Sequence, residues 1–271
     1  MPNFAVKKGK GNKIRRSRRL GAQQISEIRK LVRNGLSLRR VARETGVSYS
    51  SVHHYAGCYA RKQTWMDIEV LDDCEQGYIV GAFVGDGNSF VERKSGHYGV
   101  KFGLDAKRDE EIAFFLRDLF VKSGKRVTLY TERTWFIVKV YSKKLLEFVS
   151  DFVSYVEYKG KKRKKLIGFE NWTLAFKLGF ISGLIDTDGY VHHNRLKTKH
   201  FGASITTMNE VLRGQLVNLF EGLGLTPKVY EINPSKTSYS KKPTYIIRLD
   251  KLEFSKICRQ LISIKHKQFH S

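Results

Sequence analysis

From residue 76 onward, the spacing of apolar positions passes twice through the same succession of periods. A solid apolar run over 77–84, "GYIVGAFV", is followed by alternating, strand-like stretches near 88–104 and a helical stripe near 109–122. Strands near 126–141 ("RVTLYTERTWFIVKVY") and a helix near 143–158 complete the first pass. The second starts with "GFISGLID" at 179–186 and continues with strands near 190–206, a helix near 208–221, strands near 226–249 and a helix near 251–263. Each half reads αββαββα, which predicts an α+β fold of two pseudo-symmetric lobes; a solenoid would need shorter and more numerous units. The stripes "IAFFLRDLF" (112–120) and "VLRGQLVNLF" (211–220) read as core.

Upstream the period is helical. Ile25, Ile28, Leu31 and Val32 mark one face of a helix that Gly35 ends. Ser37 is placed to cap a second helix with Leu38, Val41 and Ala42 inside, Gly46 breaks it, and Ser48 starts a third with Val52 and Tyr55 inward. Residues 57–75 have poor periodicity and an acidic group, Asp72, Asp73 and Glu75, and read as a connector. The expected division is a basic arm over 1–20, a small all-α domain over 21–60, a linker over 61–75, and lobes over 76–165 and 166–271.

The two passes share more than period. A shift of 102 residues carries Gly77 onto Gly179, Gly81 onto Gly183, Asp86 onto Asp188 and Gly87 onto Gly189. Glycines four apart lie on one stripe of a helix and let a second backbone approach closely. Two such helices, one per lobe, are expected to pack through Gly77/Gly81 and Gly179/Gly183, each leaving its helix at the glycine after the aspartate. That packing brings Asp86 and Asp188 together at helix C-termini, where the macrodipole is already negative. Two carboxylates so placed repel unless a cation lies between them, and a hard divalent ion such as Mg²⁺, with Mn²⁺ as a substitute, takes oxygen ligands. The same arrangement suits two-metal hydrolysis of a phosphodiester.

Charge then narrows the partner. The 271 residues hold 50 Lys+Arg against 26 Asp+Glu, a net charge of +24. Residues 1–62 alone carry 16 Lys+Arg against 2 Asp+Glu, or +14, which leaves +10 for the rest. Such an excess calls for a polyanion, nucleic acid or an acidic membrane surface. No apolar run is long enough to span a bilayer, which favours nucleic acid and an intracellular location, cytoplasm, nucleoid or organelle. The arm "KKGKGNKIRRSRR" (7–19), with Arg15 and Arg16, is expected to meet phosphates. The three cysteines show no metal-site spacing.

Two resemblances follow from these residues. The segment "GAQQISEIRKLVRNGLSLRRVARETGVSYSSVHHYA" (21–56) resembles helix-turn-helix modules of the resolvase and transposase type, which place the third helix in the major groove; Tyr49, Ser50, His53 and His54 would then face the bases. "ISGLIDTDG" resembles the LAGLIDADG motif, with "IVGAFVGDG" as a divergent first copy, so that about 76–271 looks like a two-repeat LAGLIDADG homing endonuclease. The resemblance implies a monomer whose sheets lie in the major groove of a long, non-palindromic duplex site, and a double-strand cut of the kind that serves intron homing. It implies that Asp86 and Asp188 bind the catalytic metals, helped by the carbonyls of Gly85 and Thr187, and that basic residues follow the last helix of each lobe. Those places read "KGKKRKKL" (159–166) and "SIKHKQF" (263–269) and nominate Lys162 and Lys265, with Lys164 and Lys267 nearby. Val84 stands where many copies of the motif have a first acid that serves helix ends.

Base readout is expected from alternate strand side chains: Arg195, Lys197 and Lys199; Arg126, Thr128 and Tyr130; and Lys101, Lys139 and Arg248. Two other readings fit the fold, an RNA-splicing maturase binding intron RNA and a DNA-binding regulator without chemistry. Keeping both aspartates argues against the regulator.

Overall fold

A computed structural model of the chain describes residues 20–33, 36–63, 66–92, 97–192, 202–234 and 242–267. The described residues fall into two compact units, divided after Gln63. The first contains α1 (Ala22–Arg33), α2 (Leu38–Thr45) and α3 (Tyr49–Gln63). Ser37 Oγ accepts the Arg40 amide at 3.3 Å and starts α2, and Gly46, left-handed at φ 64°, ends it. Ser48 Oγ accepts the Ser51 amide at 3.2 Å at the head of α3. Ile28, Val32, Val41, Val52 and Ala56 form a small buried core, while Ile25 and Tyr55 are half-buried. The third helix runs on to Gln63.

The second unit has the two lobes. Lobe 1 is α4 (Asp73–Gly85), β1 (Gly87–Glu92), β2 (His97–Asp105), α5 (Glu110–Lys122), β3 (Thr128–Glu132), β4 (Trp135–Val140) and α6 (Lys143–Phe152). After β5 (Val153–Tyr158) and β6 (Lys161–Leu166), lobe 2 follows as α7 (Leu174–Asp188), β7 (Gly189–His192), β8 (Gly202–Thr207), α8 (Glu210–Glu221), β9 (Lys228–Ile232), β10 (Thr244–Leu249) and α9 (Lys251–Ile257), with a final short turn α10 (Ile264–Lys267). Each lobe has one antiparallel four-stranded sheet, in the orders β1-β2-β4-β3 and β7-β8-β10-β9. One buried face of each sheet joins a core that runs through both lobes, with Phe102, Phe120, Val138, Leu216, Phe220 and Ile247 in it. The expected αββαββα order is therefore present twice.

Three expectations change in detail. Asp72 is a cap rather than a connector residue: its carboxylate accepts the Glu75 amide at 2.8 Å while Glu75 accepts the Asp72 amide at 3.0 Å, a reciprocal capping box at the head of α4. The helix predicted over 143–158 stops at Phe152. Val153–Tyr158 instead pairs with Lys161–Leu166 as a two-stranded hairpin, closed by Lys159 at φ 50° and Gly160 at φ 68°. Two residues with positive φ between paired strands are the turn that a tight hairpin prefers, and "VSYVEY" has the β-branched and aromatic residues that favour a pleated strand. The helix predicted to reach 263 ends at Ile257, followed by a tight turn at Cys258–Gln260. No helix among the described residues is long and apolar enough to cross a membrane.

Candidate active site

Helices α4 and α7 are buried almost all round, over Gly77–Val84 and Leu178–Asp186, which removes any solvent face and leaves each to pack on the other. A methyl group on Gly77 or Gly81 would overlap the carbonyls of Phe176 and Phe180, and one on Gly179 or Gly183 those of Cys74 and Tyr78. The four predicted glycines thus form the seam, two from each helix. At the far end Thr173, the N-cap of α7, donates its hydroxyl to Asp73 at 2.7 Å and fixes the start of the pair.

At the near end the seam delivers the aspartates. Asp86 follows the last residue of α4 and donates its amide to Ala82 O at 3.1 Å. Asp188 is the last residue of α7. Gly85 lies against Thr187, and a Cβ there would sit 3.5 Å from the Asp188 carboxyl carbon. The glycines that follow serve a different purpose from the one expected. Neither Gly87 nor Gly189 has a positive φ, and Gly189 is extended at φ −109°. A side chain on Gly87 would instead strike the Phe83 backbone, and one on Gly189 the Ile185 backbone, so each lets its strand fold directly against the last helical turn.

The carboxylates are held in a setting that resists ionisation. Asp86 is pushed up to about 6, first by burial, then by Asp188 and Asp109, against the opposing pull of Lys265 and Lys164. Burial raises Asp188 too, opposed first by Lys164 and then by Lys265. Lys164 is lowered to about 8 by burial, with Asp188 and then Asp86 working against the shift.

Of the two lysines nominated, Lys265 is at the site: its ammonium donates to Gly189 O at 3.2 Å and stands 3.9 Å from Asp109. Following lobe 1, the group that reaches the helix end is Lys164 and not Lys162. Lys164 Nζ lies 2.6 Å from Phe83 O, 2.9 Å from Val84 O, 3.3 Å from Gly85 O and 2.8 Å from Gly87 O, a cation on the negative end of α4. Lys162 shares its face of β6 two residues earlier and is exposed, bordering a cavity of about 330 Å³ together with Arg163, Lys164, Asp188 and Asn209. The Gly85 carbonyl assigned to metal accepts from Lys164, while the Thr187 hydroxyl turns back to Gly183 O at 2.9 Å.

Three site residues escaped the sequence. Asp109 and Asn209 head α5 and α8 at matching places in the two lobes. Asn209 donates to Lys164 O at 2.7 Å, and Asp109 accepts the Asp105 amide at 3.1 Å while facing Lys265. The third is Asp186, buried with no exposed surface. It accepts from Tyr78 OH of the opposite helix at 2.8 Å, Ser263 Oγ at 2.6 Å, and the amides of Ile264 at 2.8 Å and Lys265 at 2.9 Å. Burial still raises its pKa, and burial first, then Asp186, drives that of Tyr78 well above 10. The signal was available: Asp186 is the first acid of "IDTDG", and its partner at 84 is a valine.

The DNA-contact candidates scatter more. Tyr49, Ser50, His53 and His54 are all exposed on the first turns of α3. Lys101 and Lys139 face each other across β2 and β4. Lys101 is exposed, whereas Lys139 is paired with Glu92 at 2.8 Å and lies over the rings of Phe90 and Tyr141. Arg248 is half-buried on β10 opposite Ser204 and Lys228. Arg126 is exposed but precedes β3, so it does not share the strand positions of Thr128 and Tyr130. Arg15, Arg16, Arg195, Lys197 and Lys199 lie outside the described residues, as does the Lys267 side chain.

Residues 175–263 match the family model described as "LAGLIDADG-like domain". A search of the curated proteins found no match. Among solved structures, the homing endonuclease I-DmoI in complex with DNA and Ca aligns at 16% identity and TM-score 0.50, over 72% of this chain and 92% of that one. The homing endonuclease I-WcaI bound to its DNA recognition sequence aligns at 13% identity and TM-score 0.50, over 76% of this chain and 86% of that one. Residues 175–263 are therefore similar to a LAGLIDADG-like domain, and the two-lobed unit has the fold of the LAGLIDADG homing endonucleases.

Proposed function

We propose that the protein is a site-specific endonuclease that cuts both strands of a long, non-palindromic DNA duplex as a monomer with Mg²⁺, for which Mn²⁺ substitutes. One observation carries this: Asp86 and Asp188 meet at the ends of two helices whose backbones touch, each opposed by a lysine. Among the described residues no three His, Cys, Asp or Glu side chains gather in a form able to hold a metal. The donors on offer are two carboxylates with carbonyls and water, and this is the set that Mg²⁺ accepts while it keeps waters and takes phosphate oxygens.

Asp86 and Asp188 would hold the ion, which when bound would supply positive charge for the phosphate and make a water easier to deprotonate, the proton passing to solvent, so that it can attack phosphorus. Lys265 offers its remaining N–H bonds to non-bridging phosphate oxygens, countering the charge that grows in the transition state. Lys164, with four carbonyls in reach and three protons to give, keeps α4's end in place and adds positive charge beside Asp188. The exposed start of α3 is an accessory helix-turn-helix reader, and exposed strand residues such as Lys101 and Thr128 contact the duplex. The proteins of this fold named above were solved bound to DNA, which favours cleavage of DNA over intron RNA splicing as the reading.

The test is incubation with the DNA flanking the chain's own gene, with the insertion removed, with and without Mg²⁺. A metal-dependent double-strand cut, lost in both Asp86→Asn and Asp188→Asn, is expected. Tight binding without any cut would overturn the assignment.

A further inference from the structure

The β5–β6 hairpin carries Lys164 but belongs to neither four-stranded sheet. A lone pair of strands is marginally stable in water, so its position depends on what else it touches. Val153–Tyr158 pairs with one edge of β6, and Ile167 continues on that side by donating its amide to Phe152 O at 2.8 Å. Backbone groups alternate between the two edges of an antiparallel strand, so residues 164 and 166 present theirs to the other edge. Among the described residues no strand lies there.

Side-chain amides of α8, in lobe 2, take its place. Gln215 accepts the Leu166 amide at 2.8 Å and donates to Leu166 O at 2.9 Å, the two bonds that a neighbouring strand would make. Asn209 donates to Lys164 O at 2.7 Å. Near the hairpin turn, Glu210 accepts from Tyr158 OH at 2.7 Å and from Lys159 Nζ at 3.1 Å. In lobe 1 the sixth residue after the α5 cap, where α8 has Gln215, is Phe115, packed edge-on against Tyr78. Strand side chains alternate between faces, so a slip of one residue in β6 would turn Lys164 away and present Arg163 or Lys165 instead. Lys164 reaches the carbonyls that end α4 in the register that the two amides hold.

We infer that Gln215, with Asn209, is a positioning residue for Lys164: α8 of lobe 2 fixes β6 in the register that seats the lysine following lobe 1 at the active site. The inference rests on the DNA-cleaving reading above. It makes one of the two cuts, the one that Asp188 serves, depend on α8, because Lys164 is the cation that most opposes the shift of Asp188. Lys265 has its own anchor in Asp186.

The experiment uses the full chain with Gln215→Leu, which removes both bonds to Leu166. Lys164 Nζ lies 5.0 Å from the centre of the Phe83 ring, whose ring current displaces the lysine's ε-methylene NMR signals from their usual position. In metal-free protein, Gln215→Leu should return those signals toward the usual position and leave those of Lys265 in place. With saturating DNA and Mg²⁺, strand-specific end labelling should show the cut lost in Asp188→Asn slowed by roughly 10²-fold, the scale of a displacement of about 1 Å. The other cut should stay near its original rate. Gln215→Glu keeps the bond from the Leu166 amide and loses the one to its carbonyl, so it should fall between, and it carries the test if Gln215→Leu does not fold. Equal slowing of both cuts, or unmoved Lys164 signals in the folded variant, would overturn the inference. If the intact protein cuts no DNA, the endonuclease reading fails by itself, and the Lys164 signals alone decide whether Gln215 positions that lysine.

Discussion

The two halves of the candidate active site come from one repeated pattern and yet are built differently. Asp188 is opposed most by Lys164, and Asp86 by Lys265, so each carboxylate relies on the lysine that follows the other lobe. Beside the first pair stands Asn209, an amide; beside the second stands Asp109, a third carboxylate that helps raise Asp86 to about 6. Lys265 is held through its backbone by Asp186, whereas the corresponding position in lobe 1 is the buried Val84. Lys164 is instead held by its own ammonium on the carbonyls of α4 and Gly87. The fold thus repeats a position for a lysine and secures it by two means, one that engages the charged group and one that leaves most of it available.

The largest effect should come from the carboxylates. Asp86→Asn and Asp188→Asn should each reduce double-strand cutting by roughly 10³-fold or more, the scale of losing a principal charge-stabilising group. Each should leave a nick, on opposite strands, resolved by strand-specific end labelling; nicks on the same strand would break the pairing of one acid with one cut.

Next is pH. A carboxyl raised in the folded state favours folding while protonated, so the contribution of Asp86 is complete below its unfolded value near 3.8 and is lost as pH rises through about 6. Metal-free protein should lose up to about 3 kcal/mol across that window, from roughly two pH units at 1.36 kcal/mol each. Denaturant unfolding in a chelator, repeated with Mg²⁺, measures it, and Asp109→Asn should flatten the curve.

Smaller again is the difference between the lysines. Lys164→Met should destabilise the protein by about 1–2 kcal/mol, because α4 and Gly87 carbonyls lose their donor, while Lys265→Met should barely change unfolding. Both should slow cutting. Last, Tyr78→Phe should cost about 1–2 kcal/mol by leaving Asp186 short of one donor, with no counterpart in lobe 1. Equal unfolding of Tyr78→Phe and the intact protein would show that the Asp186 anchor does not depend on the opposite helix.

Much of this was readable from the chain. Period and repeat gave both lobes, the glycines gave the seam, and the 102-residue register placed Asp86 and Asp188 opposite one another. The choice of Lys164 over Lys162 was not readable, because it depends on a hairpin at 153–166 that the helical period had absorbed. Nor were Asp109 and Asn209, whose meaning lies in which lysine they face and not in their neighbours along the chain.

By itself, then, the sequence determined what local rules can encode: helix and strand periods, caps at Ser37 and Ser48, close-contact glycines, and a charge of +24 that calls for a polyanion. Tertiary structure alone decided which acid meets which base. Electrostatic energy depends on distance and burial through space, and residues such as Asp86 and Lys265 become neighbours only when the lobes close around the two helices.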